Sequence, residues 1–290
     1  MVLQHELAFL QPLQLDLVAR GHNAFYTAPP GNLQSFLHYL SVGFPRLFRA
    51  NIAYFLTASI LFFVPGAISW AVIQSNPSLA TRVIPSQYLE QFDSMYGDRD
   101  KSMEDDEDAQ SGAEPSGESD AEPALDTGFG EERALMAGFY VKNNVGIALV
   151  CFVRGILLGI GTVYTLLYNG IFIGAIGGYI VSQGHSERFL SFVVSHGSFE
   201  LTAIAISGGA GLMLGNSLLH PGQRTRLESL RVRGLEAVQI AAGAAVMLMI
   251  AAVIEAFWSP SGVPSIWKYL VGTGLWLLVI LYLALAGRGQ

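Results

Sequence analysis

His196 and Glu200 are an ionisable pair in a stretch of the sequence that is otherwise mostly apolar. They are four positions apart, so they share one face of a helix. A second glutamate, Glu255, stands near the end of a later apolar run. Ionisable groups at membrane depth are costly and are retained mainly for pairing or for function. A histidine and two carboxylates can pair with opposite charges, take part in a proton or solute pathway, or bind zinc.

The composition of the chain indicates that these residues belong to a membrane protein. The chain has 290 residues, of which 51% are hydrophobic and 13% are charged, whereas an average soluble domain is about 25% charged. The mean hydropathy is +0.42, and no strand pattern is sustained. The sequence therefore predicts an all-α, polytopic transmembrane bundle of about six spans. The predicted spans are residues 51–73, 145–167, 171–181, 199–219, 235–258 and 267–286.

The segments outside the spans divide the chain further. Residues 1–50 carry short amphipathic patterns, which are typical of interfacial or cytoplasmic helices. Residues 74–142 are predicted to form an extracytoplasmic loop. The stretch 98–132 within it is rich in Asp, Glu, Ser, Gly and Pro, so we expect it to be disordered. Residues 143–290 are predicted to form a five-span helical core.

Arginines predict the orientation of the bundle. Arginine and lysine are enriched in cytoplasmic loops, so Arg46 and Arg49, before the first span, place the N-terminus inside. A second arginine group follows the fourth span, and Arg288 follows the sixth. Six spans put all three groups on the cytoplasmic side of a bacterial inner membrane, with both termini cytoplasmic. The residues predicted to contact anionic lipid or a cytoplasmic partner are Arg46, Arg49, Arg224, Arg226, Arg231 and Arg233.

Glycines recur at four-residue spacing in the middle of the chain. Such rows allow helix backbones to approach closely in lipid. We expect the second, third and fourth spans to form a tight core, and one row is a candidate for self-association into a homo-oligomer. The Asn169-Gly170 pair is predicted to be the turn between the second and third spans. The predicted packing glycines are Gly155, Gly159, Gly170, Gly174, Gly178, Gly211 and Gly215.

The predicted topology brings polar residues from three spans into the outer half of the membrane. His196 and Glu200 lie near the outer end of the fourth span, and Glu255 lies near the outer end of the fifth. Two asparagines stand at the entry to the second span, with an arginine deeper inside it. The predicted polar cluster comprises His196, Glu200, Glu255, Arg154, Asn143 and Asn144.

Three interpretations of this cluster remain open. In the first, Arg154 neutralises one of the glutamates, because buried charges are tolerated mainly when they are paired. In the second, the cluster forms a pathway for a solute, an ion, a proton or a lipid headgroup. In the third, His196, Glu200 and Glu255 bind a metal and support hydrolysis. The absence of an H-E-x-x-H motif and the nearby arginine argue against the third, so no bound metal is predicted.

Several function classes have no signal in the sequence. There is no Walker motif, no G-x-G-x-x-G after a strand and no G-x-S-x-G elbow around Ser195. The sequence therefore does not indicate an ATPase, a dinucleotide enzyme or a nucleic-acid binder. We predict that the protein is not an enzyme, that it has no catalytic residue and that it needs no cofactor.

The chain contains FPRLFR before the first span, SHGSFELTAIAISGGAGLMLG in the fourth and IEAFWSP at the end of the fifth. These motifs resemble those of the stage II sporulation protein M family, also called the DUF95 integral membrane proteins. The resemblance extends over nearly all of the chain from about Phe44 onward. It implies a non-enzymatic component of an envelope-associated membrane complex, with other membrane proteins or a MoxR-type AAA+ ATPase as partners. Family members are commonly encoded beside such ATPases and von Willebrand-type proteins. The alternative is a small-solute, ion or lipid transporter or channel that uses the polar cluster.

Overall fold

A computed structural model describes residues 32–90, 92 and 144–289. All regular elements within these residues are helices, which confirms the all-α class. The predicted disordered stretch 98–132 and the segment 1–31 lie outside the described residues. In chain order the helices are α1 (Leu33–His38), α2 (Phe44–Ala50), α3 (Ile52–Ser75), α4 (Asn144–Ile156), α5 (Ile160–Ser182), α6 (Ser186–Leu219), α7 (Arg226–Val253, extended by the π-helical turn Ile254–Trp258) and α8 (Ser265–Leu285).

Five of the described helices, α3 and α5 to α8, are long and apolar enough to cross a membrane. In the most apolar 18-residue stretch of α3, only 22% is buried, and in that of α8 the buried share is also 22%. Large apolar side chains such as Ile60 and Leu270 are exposed on these helices. Such a surface is unfavourable in water and suited to lipid. By helix length and hydropathy, the chain is a multi-pass membrane protein.

The predicted boundaries of the second and third spans are wrong. Helix α5 continues without interruption through Asn169 and Gly170, where the sequence suggested a turn. The Asn169 side-chain amide donates to the carbonyl oxygen of Thr165 at 2.8 Å, so it supports the helix instead of ending it. The chain reverses at Leu158 and Gly159, which have φ values of 55° and 82°. The predicted second span is therefore split between the short helix α4 and the first part of α5.

The α4–α5 hairpin is closed by its own side chains. The left-handed conformation of Gly159 is one that glycine adopts without steric cost. The Thr162 hydroxyl donates to the carbonyl oxygen of Cys151 at 2.7 Å, which satisfies an acceptor near the end of α4. The Arg154 guanidinium donates to the hydroxyl of Thr165 at 3.1 Å. Arg154 is exposed on the surface of the bundle.

Helix α6 is the centre of the bundle and contacts α3, α4, α5, α7 and α8. Many of its buried residues are Gly, Ala or Ser, and small residues let neighbouring backbones approach. A Cβ atom on Gly155 would overlap the backbone of Gly211, and one on Gly215 would overlap the backbone of Gly159. The two matching pairs show that α4 runs beside α6 in the same direction.

The glycine row of α5 packs against α3. A Cβ atom on Gly170 would overlap the backbone of Phe62, one on Gly174 would overlap Gly66, and one on Gly178 would overlap the backbone of Trp70. The second and fourth predicted spans pack closely as expected, but the glycine row of the third packs against the first span and not against the other two. The predicted packing glycines contact helices of the same chain, so their rows are used within the described part of the chain.

One end of the bundle, here called the basic end, gathers the arginines. Arg46 Nε donates to the carbonyl oxygen of Gly287 at 2.8 Å, and Arg49 Nη1 donates to that of Leu283 at 2.9 Å. Asn216, near the end of α6, donates to the hydroxyl of Tyr54 at the start of α3. The arginines 224–233, between α6 and the first turns of α7, lie at this same end. Its assignment to the cytoplasm stays a prediction.

Candidate functional site

His196, Glu200 and Glu255 come together where the last turns of α7 meet α6. One possible ligand atom from each residue lies within 4.8 Å of the others. His196 Nε2 is 3.8 Å from Glu200 Oε2. We call these three residues the His196 cluster. Since α7 begins at the basic end and Glu255 lies near its finish, the cluster is located toward the opposite end of the bundle.

Glu255 is carried by the π-helical turn that ends α7. The amide of Ser259 donates to the carbonyl oxygen of Ile254 at 2.9 Å, an i to i+5 bond. Such wider turns are rare and frequently occur at functional sites. Ser259 itself is 1% exposed, and it faces α6, where its hydroxyl reaches the imidazole ring of His196. The turn therefore supplies two groups to the site, a carboxylate and a hydroxyl.

The imidazole of His196 is held in one orientation by its neighbours. Its Nδ1 lies 3.0 Å from the Ser259 hydroxyl oxygen. The Phe192 ring packs edge-on against it, with 5.3 Å between ring centroids. These contacts leave Nε2 directed at Glu200. In the tautomer that carries its proton on Nδ1, Nε2 presents a lone pair that can accept a proton or a metal ion.

Glu255 has a buried carboxylate oxygen without a partner. Its side chain belongs to a residue only 7% exposed, and Oε2 has no hydrogen-bond partner among the described residues. A buried, unpaired carboxylate is costly in its charged form. Glu200 lies beside it, and two like charges at this separation oppose each other strongly in a low dielectric. The cluster therefore requires a proton or another cation between its carboxylates.

Arg154 is not that cation, so the predicted pairing with Glu200 or Glu255 is wrong. Its neighbour Gly155 packs against Gly211, which lies 11 residues beyond Glu200 on α6. At about 1.5 Å per residue, this is a separation of about 16 Å along the helix. Within residues 32–90, 92 and 144–289, no salt bridge joins Arg154 to either glutamate.

The structure describes only one of the two predicted asparagines. Asn143 lies outside the described residues. Asn144 opens α4 and is 8% exposed. Because Gly155 faces Gly211, counting back along the two parallel helices places Asn144 at about the depth of Glu200. It therefore lies at the level of the His196 cluster on a helix that also packs against α6.

The sequence interpretation missed two residues that extend the site, Ser259 and Lys268. Lys268 is 9% exposed, and its Nζ donates to the carbonyl oxygen of Ser259 at 2.8 Å. Ser259 links this lysine to His196 through its hydroxyl. Beside them, Trp258 Nε1 donates to the Ser195 hydroxyl at 3.1 Å. A signal was present, because Lys268 stands in the first turns of a predicted apolar span and was not counted with the other ionisable residues.

The arrangement provides three donors for a cation and a fixed cationic neighbour. One imidazole nitrogen and two carboxylates are donor types that bind zinc, and ionisable chains of this type also relay protons across membranes. Lys268 directs its charge at a backbone carbonyl. In the described part of the chain it forms no ion pair with Glu200 or Glu255, so it does not neutralise them.

The His196 cluster lies in a region that matches a known protein family. No curated protein and no solved structure matches the chain. The family model described as Stage II sporulation protein M matches residues 58–260. This range includes all of α6, the His196 cluster and Ser259, and it ends before Lys268. This match covers more than two thirds of the chain, so the chain belongs to the Stage II sporulation protein M family.

Proposed function

We propose that this protein works as a transporter or channel whose activity depends on a cation bound reversibly by the His196 cluster. The observation that carries the proposal is the buried, unpartnered Oε2 of Glu255 beside Glu200. The structural interpretation neutralised one of these carboxylates with Arg154, which instead donates to Thr165. The proposal therefore favours the transport interpretation over a passive scaffold.

Cation binding is expected to couple to the packing of α6 against α7. With a proton or metal ion between Glu200 and Glu255, the two helices are held together at this end of the bundle. When the cation leaves, repulsion between the carboxylates favours separation of the helices. A ligand that binds one of two arrangements more tightly shifts the equilibrium between them. This coupling is what a transporter built from helices in contact requires.

The proposal is tested by cation flux into proteoliposomes that contain the full-length protein. Internal dyes for protons and for divalent metals report the rate. We expect Glu255→Gln to reduce the cation-dependent rate at least tenfold, because the isosteric amide cannot exchange a cation. Glu236→Gln is a matched control on the same helix, since Glu236 is partly exposed and pairs with Arg233 at 3.0 Å near the basic end. Equal flux in wild type and Glu255→Gln would refute the proposal.

The exposed arginines of the basic end favour a second candidate function, membership of an envelope-associated complex. Arg224, Arg226, Arg231 and Arg233 are all exposed, whereas Arg46 and Arg49 donate to backbone carbonyls of the chain itself. The family resemblance suggests a MoxR-type AAA+ ATPase as the partner on this side. Replacement of the four exposed arginines by glutamine is expected to abolish co-purification with that ATPase. Retained co-purification would contradict this docking surface.

The orientation proposed for the bundle is that of a bacterial inner-membrane protein with a cytoplasmic basic end. Under this orientation the His196 cluster lies in the outer half of the membrane. A single cysteine in place of Asp106, in a Cys151→Ser background, is expected to react with an impermeant maleimide in intact cells. Reaction only after permeabilisation would reverse the orientation.

A further inference from the structure

We propose that the His196 cluster is a binding site for a divalent transition metal of the zinc class. The protein ligands are His196 Nε2 and one carboxylate oxygen from each of Glu200 and Glu255, and a fourth position remains open. This inference rests on the proposed function, in which the cluster takes up a cation, and it names the cation. Three protein ligands with one open position are characteristic of exchangeable or catalytic zinc rather than of closed structural sites.

The positions of the donor atoms fit a common metal ion. The three atoms lie within 4.8 Å of one another, and the Nε2 to Oε2 distance between His196 and Glu200 is 3.8 Å. In a tetrahedral site with bonds of about 2.1 Å, ligand atoms are separated by about 3.4 Å. The difference is within reach of small side-chain rotations. Glu255 Oε2 is an independent indication, because it is buried in the site and has no partner among the described residues.

The surroundings of His196 resemble the support that metal-binding histidines require. Such histidines donate a hydrogen bond from the N–H of their second ring nitrogen to an oxygen atom, which fixes both the tautomer and the ring orientation. Ser259 Oγ occupies that position, 3.0 Å from Nδ1. The Ser259 backbone is itself held by Lys268 through its carbonyl oxygen. The network therefore directs the lone pair of Nε2 toward the carboxylates.

The chemistry of the donors selects the class of metal. Two carboxylates supply two negative charges, which a divalent ion neutralises. Calcium prefers six to eight oxygen ligands, and magnesium prefers an octahedral shell that keeps several waters. An imidazole nitrogen with only two carboxylates suits zinc, cobalt, iron or manganese better. We therefore expect zinc to bind more tightly than magnesium or calcium.

Metal binding is measured on the purified full-length protein in detergent after removal of metal with a chelator. Zinc is titrated against a chromophoric competitor, and cobalt is used as a spectroscopic probe. We expect one tight zinc site per chain that His196→Gln and Glu255→Gln each weaken at least 100-fold. Ser259→Ala is expected to weaken it by about tenfold, as removal of a histidine-orienting group does. Weak binding to other acidic residues persists in all variants and forms the background.

The control variant and the spectra separate a site-specific effect from misfolding. Glu236→Gln is expected to bind zinc as the wild type does, and each variant must elute as a monodisperse species in size-exclusion chromatography. Visible absorption of four-coordinate cobalt is expected in the wild type and in Glu236→Gln, and its loss is expected in His196→Gln. Ser259→Ala keeps all three ligands, so its intermediate affinity tests the network without removal of a donor.

Failure of this inference is distinguishable from failure of the proposed function. Zinc binding equal in wild type and His196→Gln, or tighter binding of magnesium or calcium than of zinc, would overturn the metal site. If proton flux then still depends on Glu255, the proposed cation-dependent function stands with a proton as the cation. One zinc per chain that is lost with either ligand would support both.

Discussion

The charged side chains of the basic end and those of the His196 cluster differ in their exposure and in their partners. At the basic end the charged side chains are exposed or partly exposed, and those with described contacts have good partners. Arg46 and Arg49 donate to backbone carbonyls, and Arg154 donates to Thr165. At the His196 cluster, toward the other end, the carboxylates of Glu200 and Glu255 are largely buried. There, Glu255 has an oxygen without any described partner, and one possible ligand atom from each of Glu255, Glu200 and His196 lies within 4.8 Å of the others.

This difference indicates which charges support the fold and which carry a function. Exposed charges near lipid headgroups cost little and act as anchors, because their long side chains reach water. Buried carboxylates without partners reduce stability, and proteins keep such groups mainly where function requires them. Packing of helices supplies stability at the basic end, whereas a buried carboxylate without a partner costs stability at the His196 cluster, where we propose a cation site.

The largest effect is expected from helix packing near the basic end. In Gly211→Ala, the new Cβ would lie 2.6 Å from the carbonyl oxygen of Cys151, so α4 and α6 must separate. We expect the free energy of unfolding to fall by about 2–3 kcal/mol. Gly274→Ala is the matched control, because a Cβ there meets nothing within 4 Å. It is expected to be neutral or slightly stabilising. Chemical denaturation in detergent measures both, and equal effects would contradict the described packing.

A gain in stability is expected at the His196 cluster when a buried carboxylate is removed. Glu255→Met replaces the unpartnered carboxylate with an apolar side chain of similar size. We expect the metal-free protein to become more stable by about 1–2 kcal/mol, while cation-dependent flux is lost. The opposite signs for stability and activity would mark the residue as one kept for function.

The matched variant for this prediction is Glu236→Met near the basic end of the same helix. Its side chain is 37% exposed and forms a surface ion pair with Arg233. Surface pairs of this kind contribute little, so we expect a change within about 0.5 kcal/mol and normal flux. Thermal melting and the proteoliposome assay measure the two quantities. Destabilisation by Glu255→Met as large as that of Gly211→Ala would mean that the carboxylate supports the fold.

The fold was predictable where hydrophobicity and helix breaks coincide. Pro221-Gly222 and Pro264 separate the last three long helices, and the predicted spans match them, the last extending one residue beyond α8. The failure at α4 and α5 has a physical cause. Residues 145–167 are mostly apolar on both sides of the turn, so hydropathy cannot detect a reversal at Leu158 and Gly159. The Asn-Gly pair suggested a turn, but packing of Gly170 against α3 and the bond from Asn169 to Thr165 favour the helix.

The site was predictable where helical spacing alone determines proximity. His196 and Glu200 follow from their four-residue separation, and Glu255 follows from the antiparallel arrangement of α6 and α7. The predicted position of Arg154 near the glutamates is wrong because α4 starts at about the depth of Glu200, so that Arg154 lies well below them. The contacts of Ser259 and Lys268 depend on the π-helical turn and on the start of α8, and neither has a periodic signal in the sequence.

The smallest effect, near zero, is expected for the energetic coupling between the two ends. One interpretation of the sequence paired Arg154 with Glu200 or Glu255, but Arg154 and these glutamates lie at levels about 16 Å apart along α6. Mutations at distant sites without shared partners usually add within about 0.5 kcal/mol. We therefore expect the stability change of the Arg154→Met, Glu255→Gln double variant to equal the sum of the single changes. Flux should be as low as in Glu255→Gln alone. Restored flux in the double variant, or a coupling free energy above about 1 kcal/mol, would show that Arg154 and Glu255 belong to one charge network.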